Sequence, residues 1–146
     1  MPIATKVSRT VLLTGLTEVL FDRYAGDNTT QLPAEQKMYL SPENVVSLPA
    51  LNILSFLSAV NTESAPKLLF DPRAYKAIAS AMLASTVISP HLIPFLRNGK
   101  PVVFGEFDQD GVDAKSGIRV VRHVARLPKG IPNPKERPML GLPWEM

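Results

Sequence analysis

Hydrophobic positions along the chain change period several times, and the changes mark its elements. Residues 48–61, LPALNILSFLSAVN, lie in a run with no charge between Glu43 and Glu63. Ala50, Ile53, Leu54, Leu57 and Val60 recur there at the helical period. The Leu48-Pro49 opening suits a helix start, where proline loses no hydrogen bond. The pattern predicts the central buried helix of the fold, with Asn52, Ser55, Ser58 and Thr62 as a polar stripe suited to close packing. A second helix is expected from Asp71-Pro72, a capping residue followed by a first-turn proline, to about Ser85. Tyr75, Ile78, Ala79, Met82 and Leu83 share its apolar face.

The other apolar runs read as strands. Thr10–Leu13 and Leu16–Phe21 predict one core strand kinked at Gly15, where a glycine signals a bulge or a close backbone approach. A short helix over 17–24 competes with its second half. Ala25–Gln36 is a polar loop. Lys37–Leu40 and Val45–Leu48, joined by the turn residues Ser41-Pro42-Glu43-Asn44, predict a hairpin leading into the central helix. Thr62–Lys67 is a loop. Beyond Ser85 the broken runs Thr86–Ile88 and Leu92–Leu96 precede Asn98-Gly99, a strong hairpin signal. Val102–Phe107 returns as a strand, Asp108–Gly111 turns, and Ile118–Leu127 is the last long strand. From Pro128 the tail, LPKGIPNPKERPMLGLPWEM within residues 127–146, carries five prolines and is expected to be irregular. The fold expected is α+β: residues 1–127 as one domain, an antiparallel sheet with two helices packed on one face, and residues 128–146 as a proline-rich C-terminal arm.

Composition narrows this picture. A chain of 146 residues can bury a core without staples, and it contains no cysteine. Disulfides and cysteine metal sites are therefore excluded, and a reducing, cytoplasmic setting in the host or source cell is expected. Nothing at the N-terminus has the basic and apolar regions of a secretory leader. The uncharged run around Pro49 holds too many asparagines and serines for a membrane span.

Charge changes the picture more. Residues 1–114 carry nine Lys/Arg and eleven Asp/Glu, net −2, whereas residues 115–146 carry seven and two, net +5. Such asymmetry points to an anionic partner. Arg119, Arg122, Arg126, Lys129, Lys135 and Arg137 are the candidate phosphate contacts. Arg122 and Arg126 share a strand face with Ile118, Val120 and Val124; Arg119 shares the other with Val121, His123, Ala125 and Leu127. Tyr39 and Phe104 are candidate platforms for base stacking. The competing reading pairs the arginines with Glu106, Asp108 and Asp110. Leu140, Leu142 and Trp144 need burial, either against the chain's own core or at an oligomer interface.

Catalytic signals are weak. His91 and His123 have no partner at metal-ligand spacing, and no nucleophile-elbow, P-loop or dinucleotide fingerprint is present. The acidic turn at 108–113 lacks the distal glutamate of a calcium loop. No enzyme, cofactor or metal is expected.

The stretches TVLLTGLTEVLFDRY, KMYL, LPALNILSFLSA and KERPMLGLPW together resemble a group of small uncharacterised phage and prophage proteins. The order of hairpin, two helices and sheet is similar to the ferredoxin-like core of RAMP proteins, the backbone subunits of RNA-guided complexes. Both resemblances imply a non-catalytic, self-assembling or nucleic-acid-coating role. The function expected is a phage-type nucleic-acid-binding protein, for single strands, acting as a homo-oligomer. The alternative is an assembly protein that self-associates through its C-terminal arm.

Overall fold

The computed structural model describes residues 5–27, 29–59, 72–126, 130 and 132–146, with the backbone alone at 72–75, 125 and 126. The fold is α+β with antiparallel pairing throughout. Its strands are β1 (Val19–Leu20), β2 (Tyr39–Leu40), β3 (Val46–Pro49), β4 (Leu92–Pro94), β5 (Leu96–Arg97), β6 (Lys100–Pro101), β7 (Arg119–Arg126) and β8 (Pro132–Leu140). Its helices are α1 (Ala50–Leu57) and α2 (Pro72–Ser85), and a 3-10 turn spans Ala34–Lys37. The strands form three small sheets, ordered β1-β8-β7, β2-β3-β4 and β5-β6, rather than one ferredoxin-like sheet.

The expected hairpins form. In the β2–β3 turn Asn44 adopts φ 60°, and the Ser41 hydroxyl accepts from the Val45 amide at 3.2 Å. Asn98 and Gly99, at φ 52° and 73°, close β5 onto β6. Both residues of that turn need the left-handed region, which Asn and Gly tolerate.

The core is built from strands and loops. Phe21, Met38, Val46, Phe95, Val102, Phe104, Ile118 and Leu140 form one buried cluster, with Trp144 and Met146 packed against it. Three backbone bonds knit its centre in a ring. Val46 N–H donates to Val102 O (2.8 Å), Val102 N–H to Phe95 O (2.9 Å) and Phe95 N–H to Val46 O (2.9 Å). Phe95 meets Phe21 and Trp144 edge-on, at centroid distances of 5.6 and 5.4 Å.

The helix at 48–61 is not the buried centre. Pro49 ends β3 and caps α1, Ala50 is α1's only buried residue, and Leu51 and Phe56 are 63% and 52% exposed. Helical spacing identifies an apolar face but not how much of the molecule stands against it. Asn52 and Ser55 are exposed, and the Ser58 hydroxyl bonds Leu54 O at 2.7 Å as a local cap. Helix α2 buries Ala79 and leaves Leu83 exposed. Val60, Thr62–Lys67 and the Asp71 cap lie outside the described residues.

The first strand is also shorter than its pattern. Only Val19–Leu20 pairs regularly, and Val11, Leu12 and Leu16 stay exposed. Gly15 does make the close approach its position signals. The Trp144 ring lies where a Cβ would stand, and Trp144 Nε1 donates to Thr17 O at 2.8 Å. Segment 102–107 contributes one bridge, Val45 to Val103, rather than a strand.

The tail departs furthest from expectation. Pro132–Leu140 is the longest strand among the described residues, with Leu140 fully buried. Residues after it run between two earlier segments. Leu13 and Met146 exchange both backbone bonds (2.9 and 3.0 Å), as do Leu96 and Glu145 (2.7 and 2.9 Å). Arg97 pins this end. Its guanidinium donates to Ser116 O (2.6 Å), Gly141 O (3.2 Å) and Pro143 O (3.3 Å). Leu140 and Trp144 are thus core groups rather than an oligomer interface, and Leu142 alone remains half exposed.

Asp113 fixes the approach to β7. It is 2% exposed and accepts from the amides of Gly105 (3.0 Å), Lys115 (3.1 Å) and Ser116 (3.2 Å) and from the Ser116 hydroxyl. Burial pushes its pKa up, but these donors together outweigh burial and hold it below the usual carboxylate range.

Deleting residues 132–146 removes Leu140, Trp144 and the partner of both β1 and β7. The expected outcome is a chain with no cooperative transition, since the loss exceeds a typical stability of about 5–15 kcal/mol; circular dichroism during thermal melting reads this. Asp113→Ala strands the buried Ser116 amide and two part-buried ones and should cost about 3 kcal/mol at neutral pH. A depressed folded pKa contributes stability above the unfolded pKa and loses it as pH falls. The gap between wild type and variant should therefore hold down to about pH 4 and shrink below it in urea titrations.

Candidate nucleic-acid interface

Strands β7 and β8 pair along their whole length, from Arg119 opposite Met139 to Arg126 opposite Pro132. Strand pairing ties the base of this ribbon into the molecule. Strand β1 pairs with β8 at Leu140 and Met139, and Phe21 N–H reaches Pro138 O at 2.9 Å. Beyond that point the ribbon is two strands wide.

Residues directly opposite each other share a face. One face carries Arg119 with Met139, Val121 with Arg137 and His123 with Lys135. The other carries Val120 with Pro138, Arg122 with Glu136 and Val124 with Pro134. Residues 119–137 hold six Lys/Arg against one acid, Glu136. The ribbon is the physical form of the charge asymmetry along the chain.

The six cations have different fates. Arg119 is exposed and has no ionic partner among the described residues. Arg122 is 84% exposed at its side chain, and its Nε donates to Glu136 Oε1 at 2.7 Å. An exposed pair of this kind holds weakly and can exchange. Lys135 and Arg137 turn instead to Asp22. Arg137 Nε and Nη2 both lie 2.8 Å from Asp22 Oδ2, and Lys135 Nζ lies 3.5 Å from it. Arg126 is described by its backbone alone, and Lys129 lies outside the described residues.

Asp22 and Lys37 were not singled out from the sequence. Lys37 is 5% exposed, with Nζ 2.6 Å from Glu136 O and 3.4 Å from Asp22 Oδ1. Burial pushes Asp22 up, but the Arg137 hydrogen bond and the charges of Arg137, Lys135 and Lys37 together outweigh it and lower the pKa. No local pattern flags this cluster, because Asp22 and its ribbon partners stand more than a hundred positions apart in sequence, 113 for Lys135 and 115 for Arg137. Beside it, Asp22, Arg23, Tyr24, Lys37, Asn133 and Lys135 line an open cleft of about 310 Å³.

Among the described residues, Glu106, Asp108 and Asp110 do not pair with the arginines. Asp108 accepts from its own turn, at the amides of Asp110 and Val112 (2.9 Å each). Among the described residues, Glu106 and Asp110 form no salt bridge.

Neither stacking residue is open. Phe104 is 7% exposed and packs edge-on against Phe107 at 4.9 Å, so it belongs to the core. Tyr39 is half-buried with the Arg23 guanidinium 5.1 Å from its ring centroid. The structure brings Arg119, Arg122, Arg126, Lys135 and Arg137 onto one ribbon and leaves Tyr39 and Phe104 apart from it.

Among the described residues, no three His, Asp or Glu side chains gather as a metal site, and no helix is long and apolar enough to cross a membrane. His91 and His123 are both exposed. No protein-family model, curated protein or solved structure matches the chain.

Asp22→Asn leaves the buried Lys37 ammonium without its carboxylate and should destabilise the fold by about 1–3 kcal/mol at pH 7. Because Asp22 is lowered in the folded state, its contribution is present above the unfolded pKa and lost as pH falls through the folded one. Urea unfolding at neutral and strongly acidic pH checks this, the two proteins converging in acid.

Proposed function

We propose that the chain is a non-catalytic nucleic-acid-binding protein that lays its β7–β8 ribbon against the phosphates of a duplex. The observation that carries this reading is a two-stranded ribbon with five Lys/Arg and one acid, joined by a third strand only at its base. Phosphate neutralisation supplies most sequence-independent affinity, and the major groove admits a two-stranded ribbon. The single-strand reading loses support, since it needs open aromatic faces and Phe104 is buried. Self-association belongs to the proposal: Val11, Leu12 and Leu16, 70%, 63% and 90% exposed, favour it on the N-terminal segment. Pairing copies multiplies phosphate contacts through effective concentration.

Fluorescence anisotropy with a short duplex and a single strand of the same sequence tests the reading across a salt series. Duplex affinity should fall with a log–log slope of about −0.9 for each phosphate contacted. Arg119→Ala combined with Arg122→Ala should reduce the slope by about 1.8 without altering the melting temperature. Affinity that ignores salt, or the absence of binding at low salt, sinks the reading.

A further inference from the structure

The two strands of the ribbon have unlike outer edges. In a β-strand the N–H and C=O of one residue point to the same side, and the side alternates. Pro138 O accepts from Phe21 and Glu136 O from Lys37, so the even-numbered residues of β8 face away from β7. Pro132, Pro134 and Pro138 share that parity. Three donors are thereby missing from the outer edge of β8, which blunts it against further pairing.

The outer edge of β7 is open. Val120 N–H donates outward to Gly111 O at 2.7 Å, which fixes the parity. Arg122 and Val124 turn their backbone groups the same way, and among the described residues neither meets a partner there. Val124 is 64% exposed and the Arg122 side chain 84%.

We propose that this edge of β7 accepts an extended acidic segment of a partner protein as an added strand. Backbone groups of Arg122 and Val124 supply the ladder, and side chains directly opposite them supply selectivity. Arg122 and Arg126 flank Val124 at alternate positions, so the complementary strand reads acid, any residue, apolar, any residue, acid. A second copy of β7 fits poorly. Antiparallel pairing centred on Val124 sets Arg122 opposite Arg126, and like charges directly opposed are destabilising. The edge charge therefore rejects copies of this chain and selects an acidic strand. This interaction goes beyond phosphate binding, because it uses the backbone edge.

The probe is a capped peptide, Thr-Glu-Thr-Val-Thr-Glu-Thr, titrated into isotope-labelled protein. Amides of Arg122 and Val124 should shift and become protected from exchange. Val124→Pro deletes one edge donor without touching the ladder to β8, and should weaken peptide binding about tenfold. Arg122→Gln should weaken it about threefold. Duplex affinity of Val124→Pro should match wild type, so failure of strand addition and failure of nucleic-acid binding are read separately. If Val124→Pro does not fold, N-methylation of the peptide's alternate amides removes the complementary bonds, those the peptide donates to the Arg122 and Val124 carbonyls, and should abolish binding. Equal binding of a peptide with lysine in place of glutamate overturns the proposal. So does undiminished binding after N-methylation, or unchanged Arg122 and Val124 amides throughout the titration.

Discussion

Strand β8 exists because its prolines share one parity. A proline facing β7 would delete a ladder bond at each occurrence. At 132, 134 and 138 the missing donors all lie on the outward side, where Phe21 and Lys37 need only the carbonyls of Pro138 and Glu136. The ladder to β7 runs through Asn133, Lys135, Arg137 and Met139, each with its N–H intact. Proline also narrows the unfolded ensemble, so its presence at compatible positions reduces the entropy lost on ordering the ribbon. Leu140 at the end of the strand then enters the core, and everything C-terminal follows it inward.

That inward path locks the base of the ribbon from both sides. The Trp144 ring rests on the bare backbone of Gly15, and Glu145 bridges both Thr14 and Leu96. Arg97, one residue from the β5–β6 turn, donates to carbonyls on either side of the ribbon, at Ser116 before β7 and Gly141 after β8. Arginine suits this role because its donors are held in a fixed planar fork. The strands thus leave the core with their orientation set, and Lys37 and Asp22 hold β8 further along at Glu136 O, Arg137 and Lys135.

How much of this was legible depended on the range of the signal. The turns at 41–44 and 98–99, the β2–β3 hairpin, α2 and β7 are local events, written in residues whose φ preferences or periodicity suffice. Gly15 was readable as a close approach, though not that Trp144 makes it. Three features required partners distant in sequence. The run at 48–61 has a helical apolar face, but Phe95, Ile118 and Leu140 fill the core first, and most of α1 stays outside. Phe104 reads equally as platform or core until Phe107 is placed beside it. In the tail, proline density alone signals irregularity, whereas the alternation of Pro132, Pro134 and Pro138 carries the strand. The ribbon's cations were visible as a charge imbalance; their distribution between Asp22, Glu136 and solvent was not.

That distribution is what leaves the ribbon positive. Three other aspartates are tied to nearby backbone: Asp27 by the amides of Thr29 and Thr30, Asp108 by Asp110 and Val112, Asp113 by Gly105, Lys115 and Ser116. A carboxylate held by several backbone donors cannot swing out to meet an arginine, and at physiological ionic strength its field is screened beyond about 8 Å. Among the described residues Asp22 is the one aspartate paired with the ribbon, and three cations already share it. Clustering there draws Lys135 and Arg137 toward Asp22, where Lys37 also needs a counter-charge. Arg119 and Arg122 remain toward solvent, one without an ionic partner among the described residues and the other in an exchangeable surface pair. The same economy of carboxylates that stabilises the turns therefore leaves the free positive charge on the β7–β8 ribbon.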